Sequence, residues 1–407
     1  MLDLYPTNRK GMRMSSPKKN IIQSLLDTDL YKLTMMQTVL HYFPAAEVEY
    51  TFKCRTQGVD LFQYVNEIRD EVAQLCQLRF TENEIHYLSH IYYLKPDFVQ
   101  FLRLFQLNRH YVHFGKDDSG QLEIKVIGPW LHTIMFEVPI LAIVEEVFSR
   151  NQYPALDLKE GQKKLAEKTK LINVHPLGGQ LKIMEFGTRR RFNREWQKHV
   201  LRHLYRSIES NLVGTSNVFL ARELGIRPLG TMAHEYLQAF QALGPRLIDS
   251  QKIALDVWAK EYRGDLGIAL TDVVGVNAFI RDFDRYFAKL FDGVRHDSGC
   301  PFEWANKMIA HYESLGVDPK TKSLVFSDSL TIPLAFELLE VFKDKTNPVF
   351  GIGTDLTNDV GVTPLSIVMK MTRCNGQPVA KISDSPGKTM CRDKEYLTYL
   401  KKVFAIQ

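Results

Sequence analysis

Ile183-Met184-Glu185-Phe186-Gly187-Thr188-Arg189-Arg190-Arg191 is a short apolar run that breaks into a glycine, a threonine and three consecutive arginines. An apolar run ending in small polar residues reads as a buried strand that delivers a functional loop. The pattern recurs six times: LVGTSN near 212, PLGTMAHE near 228, GIALTD near 267, GVRHDSG near 293, LVFSDS near 324 and VFGIGT near 350. Helical stretches fill most of the intervals, as over 217–224, where Gly225 supplies a C-terminal cap. Seven such units predict a parallel α/β barrel, irregular in its spacing, with its chemistry at the C-terminal ends of the strands.

Outward from this region the signals change. Val48, Tyr50, Phe52 and Cys54 alternate with polar residues as in a half-buried strand, and Leu122, Ile124 and Val126 make a second one ending at Gly128-Pro129. Leu61, Val65, Ile68, Val72 and Leu75 line one face of a helix, and Thr81 with Glu84 fits a capping box. Asn375-Gly376 suits a type I′ hairpin turn. The expected organisation is a flexible leader over 1–20, an α+β N-terminal domain over 21–150 and the barrel over 151–370. A hairpin and helix over 371–407 would pack back on the N-terminal domain.

The chain has 407 residues, 45% hydrophobic and 24% charged, as in a globular protein and unlike a disordered or fibrous one. Its formal charge is +5, but Lys182–Arg206 holds eight basic and two acidic side chains, which leaves the remainder at −1. Against a nucleic-acid binder that uses this window, the rest of the chain is slightly acidic and no aromatic-interleaved basic stripe extends beyond it. Five cysteines without a CxxC pair argue against a disulfide framework or a structural zinc site, and a cytoplasmic location is expected. No run of about 18 apolar residues predicts a membrane span, and the basic leader lacks the apolar core of a secretory signal.

Arg189 and its neighbours at the strand end suit carboxylate or phosphate, which guanidinium groups bind bidentately. Arg190, Arg194, Lys198, Arg202 and Arg206 recur every four residues as a solvated or acid-facing stripe. Gly351, Gly353 and Thr354 offer backbone N–H groups and a hydroxyl to a phosphate, although Leu356 breaks the dinucleotide fingerprint. Gly387-Lys388-Thr389 imitates the end of a P-loop, but Ile382 stands where its first glycine belongs. His234 follows a Gly-Thr pair at a strand end. Asp272, Asp297 and Asp328 each close a strand, placed either to line a magnesium–phosphate site or to cap the next helix.

Taken in order, seven segments resemble the bacterial-type nicotinate phosphoribosyltransferases. They are Asp27-Thr28-Asp29-Leu30-Tyr31-Lys32, Phe186–Arg190, Gly214–Asn217, Gly230–Glu235, Arg295–Gly299, Phe350–Thr354 and Ser383–Thr389. The resemblance runs from about residue 22 to the C-terminus and implies a type II phosphoribosyltransferase-like fold. It implies condensation of nicotinate with phosphoribosyl pyrophosphate (PRPP) to nicotinate mononucleotide and pyrophosphate, in NAD salvage. ATP would be a cosubstrate hydrolysed through a phosphorylated His234, with Mg2+ accompanying PRPP and ATP, and neither nucleic acid nor membrane would be a partner. Tyr31, Arg189, Thr231 and Arg295 would surround the pyridine and its carboxylate, and Phe186 and Ser298 would also bind substrate. Asp297 would lie near the reacting sugar, and Gly351, Gly353 and Thr354 would hold the ribose 5′-phosphate. Relatives include homodimers in which one subunit's N-terminal domain completes its neighbour's site, which would put Tyr31 in trans. Cys300 stands where relatives often have Asp, so no role is assigned to it, and Ser329 replaces a common Asn. Nicotinamide or quinolinate as the acceptor is the nearest competing reading.

Overall fold

The computed structural model describes residues 19–385, 389–391 and 393–406. All but the last two residues of the expected leader lie outside them, as do Pro386, Gly387 and Lys388 of the P-loop-like and Ser383–Thr389 segments. Two sheets organise the rest. Strands β1 (Glu47–Cys54), β2 (Val112–Lys116) and β3 (Leu122–Pro129) are antiparallel neighbours in the order β1-β3-β2. Strands β4 (Ile183–Glu185), β5 (Leu212–Thr215), β6 (Ile268–Leu270), β7 (Gly293–His296), β8 (Ser323–Phe326) and β9 (Asn347–Ile352) form a parallel sheet ordered β5-β4-β9-β8-β7-β6. Strands β10 (Ile367–Cys374) and β11 (Gln377–Pro378) then return to the first sheet, β10 pairing antiparallel with β1. The expected boundary at 370/371 falls inside β10.

Six of the seven expected strand units are strands of the parallel sheet. The seventh, at Pro228, is a correction: it makes only a single parallel bridge to Thr215. Pro228 has no N–H to donate and Gly230 adopts φ 150, so a regular ladder cannot propagate through the segment. It nevertheless spans the two edges of the sheet. Leu229 N donates to Thr215 O on the β5 side (2.8 Å), and Thr231 Oγ1 donates to Ile268 O on β6 (2.9 Å). The sheet therefore curls with its edges joined through an irregular stave.

Local chemistry accounts for the other elements. Thr81 and Glu84 form the reciprocal capping box at helix Glu82–Ser89. Asn217 caps helix Val218–Leu224, which ends at left-handed Gly225. Asn375 and Gly376 both have positive φ, as a type I′ turn between β10 and β11 requires. Helix Glu137–Gln152 is buried on nearly every face because it is wedged between β10 and the turn after β4. It therefore joins the two sheets and brings Glu137, Glu145 and Glu146 into the interior. Helix Lys394–Val403 lies against Leu247–Asp249, and Tyr396 donates to Gln241 Oε1 at 2.9 Å. No helix among the described residues is long and apolar enough to cross a membrane.

Candidate active site

The C-terminal ends of β4, β7, β8 and β9 open into a cleft of about 610 Å³, whose far wall is β10 of the antiparallel sheet. Phe186, Arg189, Arg295, Asp297, Gly353 and Thr354 line it, as the sequence suggests. Arg55, Arg190, Lys370 and Lys381 also line it, so six cations among the described residues surround the cavity, opposed by Glu137, Asp297, Asp328, Asp355 and Asp359.

The turn carrying the arginines is built by close packing. Glu185, wholly buried, accepts hydrogen bonds from Gly187 N (2.5 Å), Gln197 Nε2 (3.1 Å) and Thr215 Oγ1 (2.5 Å), and burial lifts its carboxyl to about 7. A Cβ on Gly187 would lie 2.1 Å from Thr357 Oγ1, so only glycine admits this approach. Arg189 then projects into the cleft, with Glu137 3.6 Å and Asp29 3.8 Å from its nitrogens. Its guanidinium lies 6.0 Å from the centroid of the Tyr31 ring of the same chain. Tyr31 is buried with an unpartnered hydroxyl, and burial holds its phenol well above the usual value, so it remains protonated. Arg295 likewise has a buried Nε without a hydrogen-bond partner.

His234 opens helix His234–Leu243 beneath this cleft and is buried. Its Nε2 lies 2.8 Å from Asp272 Oδ1 and 3.4 Å from Asp297 Oδ2. Lys381 Nζ reaches the same pair, 2.7 Å from Asp272 Oδ2 and 3.3 Å from Asp297 Oδ2. Ser298 Oγ donates to Asp272 Oδ2 at 2.5 Å. Burial, helped by the Lys381 ammonium, pushes the imidazole down to about 4 despite the adjacent carboxylates. Against the penalty of burial, Lys381 and His234 hold Asp297 well below the carboxylate range, and Asp272 is held there too. At neutral pH the site is thus a neutral imidazole beside two carboxylates bridged by an ammonium. Asp272 and Asp297 turn inward to His234 and Lys381, so neither is merely a helix cap.

The remaining sequence-selected residues separate by position. Gly351 faces the Phe186 ring, and a Cβ there would stand 2.5 Å from Phe186 Cδ2. Its glycine is thus needed to seat that ring. Thr231 braces the seam through Ile268, and Ser298 lies buried behind Asp272; neither lines the cleft. Lys32, buried, is held by Glu137 (2.6 Å) and Glu235 (2.8 Å), which ties helix Leu30–Tyr42 to the site. Lys370, Lys381 and Glu137 were not selected from the sequence. One signal was available for Lys370: it alternates with apolar Met369 and Met371 in a strand pattern, which puts it on the opposite face from them.

A cation-lined cleft at the strand ends of a curled parallel sheet, with an antiparallel domain as one wall, defines an α/β protein built to hold anionic ligands. Residues 26–145 match the nicotinate phosphoribosyltransferase (NAPRTase) N-terminal domain and residues 181–407 the nicotinate phosphoribosyltransferase (NAPRTase) family. The nicotinate phosphoribosyltransferase of Cupriavidus necator is 60% identical over 389 residues, covering 95% of this chain and 99% of that protein. That of Burkholderia mallei is 59% identical over 388 residues, 95% and 97% of the two chains. The crystal structure of nicotinate phosphoribosyltransferase from Vibrio cholerae superposes with a TM-score of 0.91 at 43% identity, covering 95% of this chain and 94% of that one. The chain belongs to the nicotinate phosphoribosyltransferase family.

Proposed function

We propose that this protein transfers the phosphoribosyl group of PRPP to nicotinate, giving nicotinate mononucleotide and pyrophosphate for NAD biosynthesis. We propose further that it couples this transfer to ATP hydrolysis through a phosphohistidine at His234. Family membership over nearly the whole chain supports the transfer. The observation that carries the coupling is the buried His234–Asp272–Lys381 arrangement. Lys381 keeps Asp272 ionised, Asp272 accepts a hydrogen bond from the Nε2–H, and the lone pair is left on Nδ1 of a neutral imidazole. That nitrogen attacks the γ-phosphorus of ATP as the bond to the β-phosphate oxygen breaks, releasing ADP. Asp272 then stabilises the positive charge left on the ring. Later attack by water on phosphorus restores the histidine and releases phosphate.

In the transfer step, Arg189 and Arg295 hold the nicotinate carboxylate, while Phe186 and Tyr31 provide aromatic faces for the pyridine. The pyridine nitrogen attacks ribose C1′ as the bond from C1′ to the pyrophosphate oxygen breaks. Positive charge grows on the sugar near Asp297, and negative charge grows on the leaving group among the cleft cations. Gly353 and Thr354 are positioned for the ribose 5′-phosphate. Asp297 and Asp328 both line the cleft from adjacent strand ends, a donor set of hard oxygens that suits Mg2+. When bound, Mg2+ supplies charge neutralisation to the pyrophosphate.

The test is a nicotinate-plus-PRPP assay with and without ATP, following ADP and mononucleotide together, with nicotinamide and quinolinate as parallel acceptors. In His234→Ala, ADP formation and ATP stimulation are expected to vanish while slow ATP-independent transfer persists. Unchanged ATP coupling in that variant would overturn the phosphohistidine.

A further inference from the structure

Lys370 belongs to none of the motifs that mark the site. It sits on β10, a strand of the antiparallel sheet, where Ile367, Met369 and Met371 are buried, Val368 and Lys370 on the alternate positions are half-buried, and Lys370 lines the cleft. Its register partner on β1 is Thr51, which offers no charge. The charged groups that face it are Lys381, Asp297, Glu137 and Arg189. Each of these carboxylates already has a basic neighbour within ion-pair distance: Asp297 has Lys381 and His234, and Glu137 has Lys32 and Arg189. Among the described residues none comes within ion-pair distance of Lys370 Nζ, so this ammonium faces the cavity without a counter-ion. Holding an unpaired cation in a half-buried place opposes folding unless a ligand supplies the missing charge. Burial, reinforced by Lys381, pushes Lys370 down to about 8.

On the reading of the cleft as a PRPP site, we propose that Lys370 receives the pyrophosphate group of PRPP, so that the antiparallel domain contributes a substrate-binding cation to the parallel sheet. Position favours the pyrophosphate over the 5′-phosphate. The 5′-phosphate is expected at Gly353 and Thr354 after β9, whereas Lys370 is flanked by Lys381 and Asp297, where the leaving group would gather. A proton signature follows. Near pH 8 part of the Lys370 population is neutral, and an arriving polyanion favours the ammonium, so binding draws a proton from solvent.

The experiment is calorimetric titration of the full chain with PRPP at pH 8, in Tris and in HEPES, whose ionisation heats differ. Uptake of up to about half a proton is expected for a group half-ionised at that pH. In Lys370→Arg, which stays charged, the part of the buffer-dependent heat due to Lys370 should vanish while PRPP still binds. In Lys370→Met, Kd and KM for PRPP should rise at least about tenfold, as on losing a charge-assisted hydrogen bond. The nicotinate KM and the thermal midpoint should not worsen, which separates this role from a structural one. Unchanged PRPP affinity in Lys370→Met, or in Lys370→Gln if the Met variant does not fold, overturns the proposal; full buffer-dependent heat in Lys370→Arg overturns its proton signature. A wild-type chain that neither binds PRPP nor forms nicotinate mononucleotide overturns instead the reading on which the proposal rests.

Discussion

Arg189 and Arg191 stand two residues apart on the same turn and meet opposite surroundings. Arg191 is completely buried, its two Nη atoms 2.6 and 2.9 Å from the oxygens of Asp27, with Gln197 Oε1 at 3.1 Å. Arg189 is 45% exposed, and its acidic neighbours stand too far away for a good hydrogen bond. The 3₁₀ turn over Thr188–Arg190 carries Arg189, whereas Arg191 just beyond it is already extended (φ −65, ψ 145), and the change of backbone sends these two to different sides. A cation already paired inside the protein fixes the position of the N-terminal segment. A cation left loosely paired at the cleft retains its capacity for a substrate anion.

This contrast can be broken most severely at Asp27. Asp27→Ala should cost about 3–5 kcal/mol, because it strands Arg191 as an uncompensated buried charge. Urea denaturation checks it, and an unchanged midpoint would mean that the pair holds nothing together. At the cleft, Arg295→Ala should raise the nicotinate KM by the equivalent of about 1.5–3 kcal/mol, with the stability change within about 0.5 kcal/mol. Steady-state kinetics beside a thermal melt read both quantities. Should KM stay put, the carboxylate is read elsewhere, and Arg189→Ala is the next variant to measure.

The middle arginine sharpens the comparison, because its backbone is tied by a neutral partner. Asn358 Nδ2 donates to both Arg190 O and Glu145 Oε1, each at 2.9 Å, and burial raises Glu145 to about 8 from an ordinary 4.5. For an acid raised on folding, the native state holds the proton longer. Its contribution is thus fully present below about pH 4.5 and is lost as pH rises through about 8. Glu145→Gln should flatten the stability–pH profile between pH 5 and 8, removing a slope of at most about 1.4 kcal/mol per unit. Urea midpoints across that range test it, with Glu146 and Glu185, both raised to about 7, still contributing in the same direction. The smallest effect belongs to the helical stripe. Lys198 and Arg202 both pair with Glu223 at the surface, so Arg202→Ala should cost only about 0.2–1 kcal/mol, less in high salt.

Much of the framework was legible along the chain because strand ends carry a local signature. Six of the seven apolar runs became parallel strands, and the cap at Gly225 and the turn at Asn375-Gly376 formed as their residue types require. The misread unit at Pro228 shows the limit of that signature: apolarity and a polar ending were present, but the backbone donors of a ladder were not. Six of the selected site residues line the cleft, whereas Thr231 and Ser298 support it from behind. Lys370 and Lys381 escaped notice because each is a lone lysine in an otherwise apolar segment.

By itself the sequence determined the order of strands and polar endings, the confinement of the excess charge to one window, and the family. Those properties rest on neighbours in the chain. The tertiary structure decided which charges are free. Arg191, Lys32 and Lys381 are paired, and Lys370 is left facing the cleft, because pairing and burial depend on groups brought together from distant segments. The pairing of β10 with β1 places a lysine of one sheet over the strand ends of the other. No local pattern encodes that juxtaposition, since it arises only when the two sheets close on the helix between them.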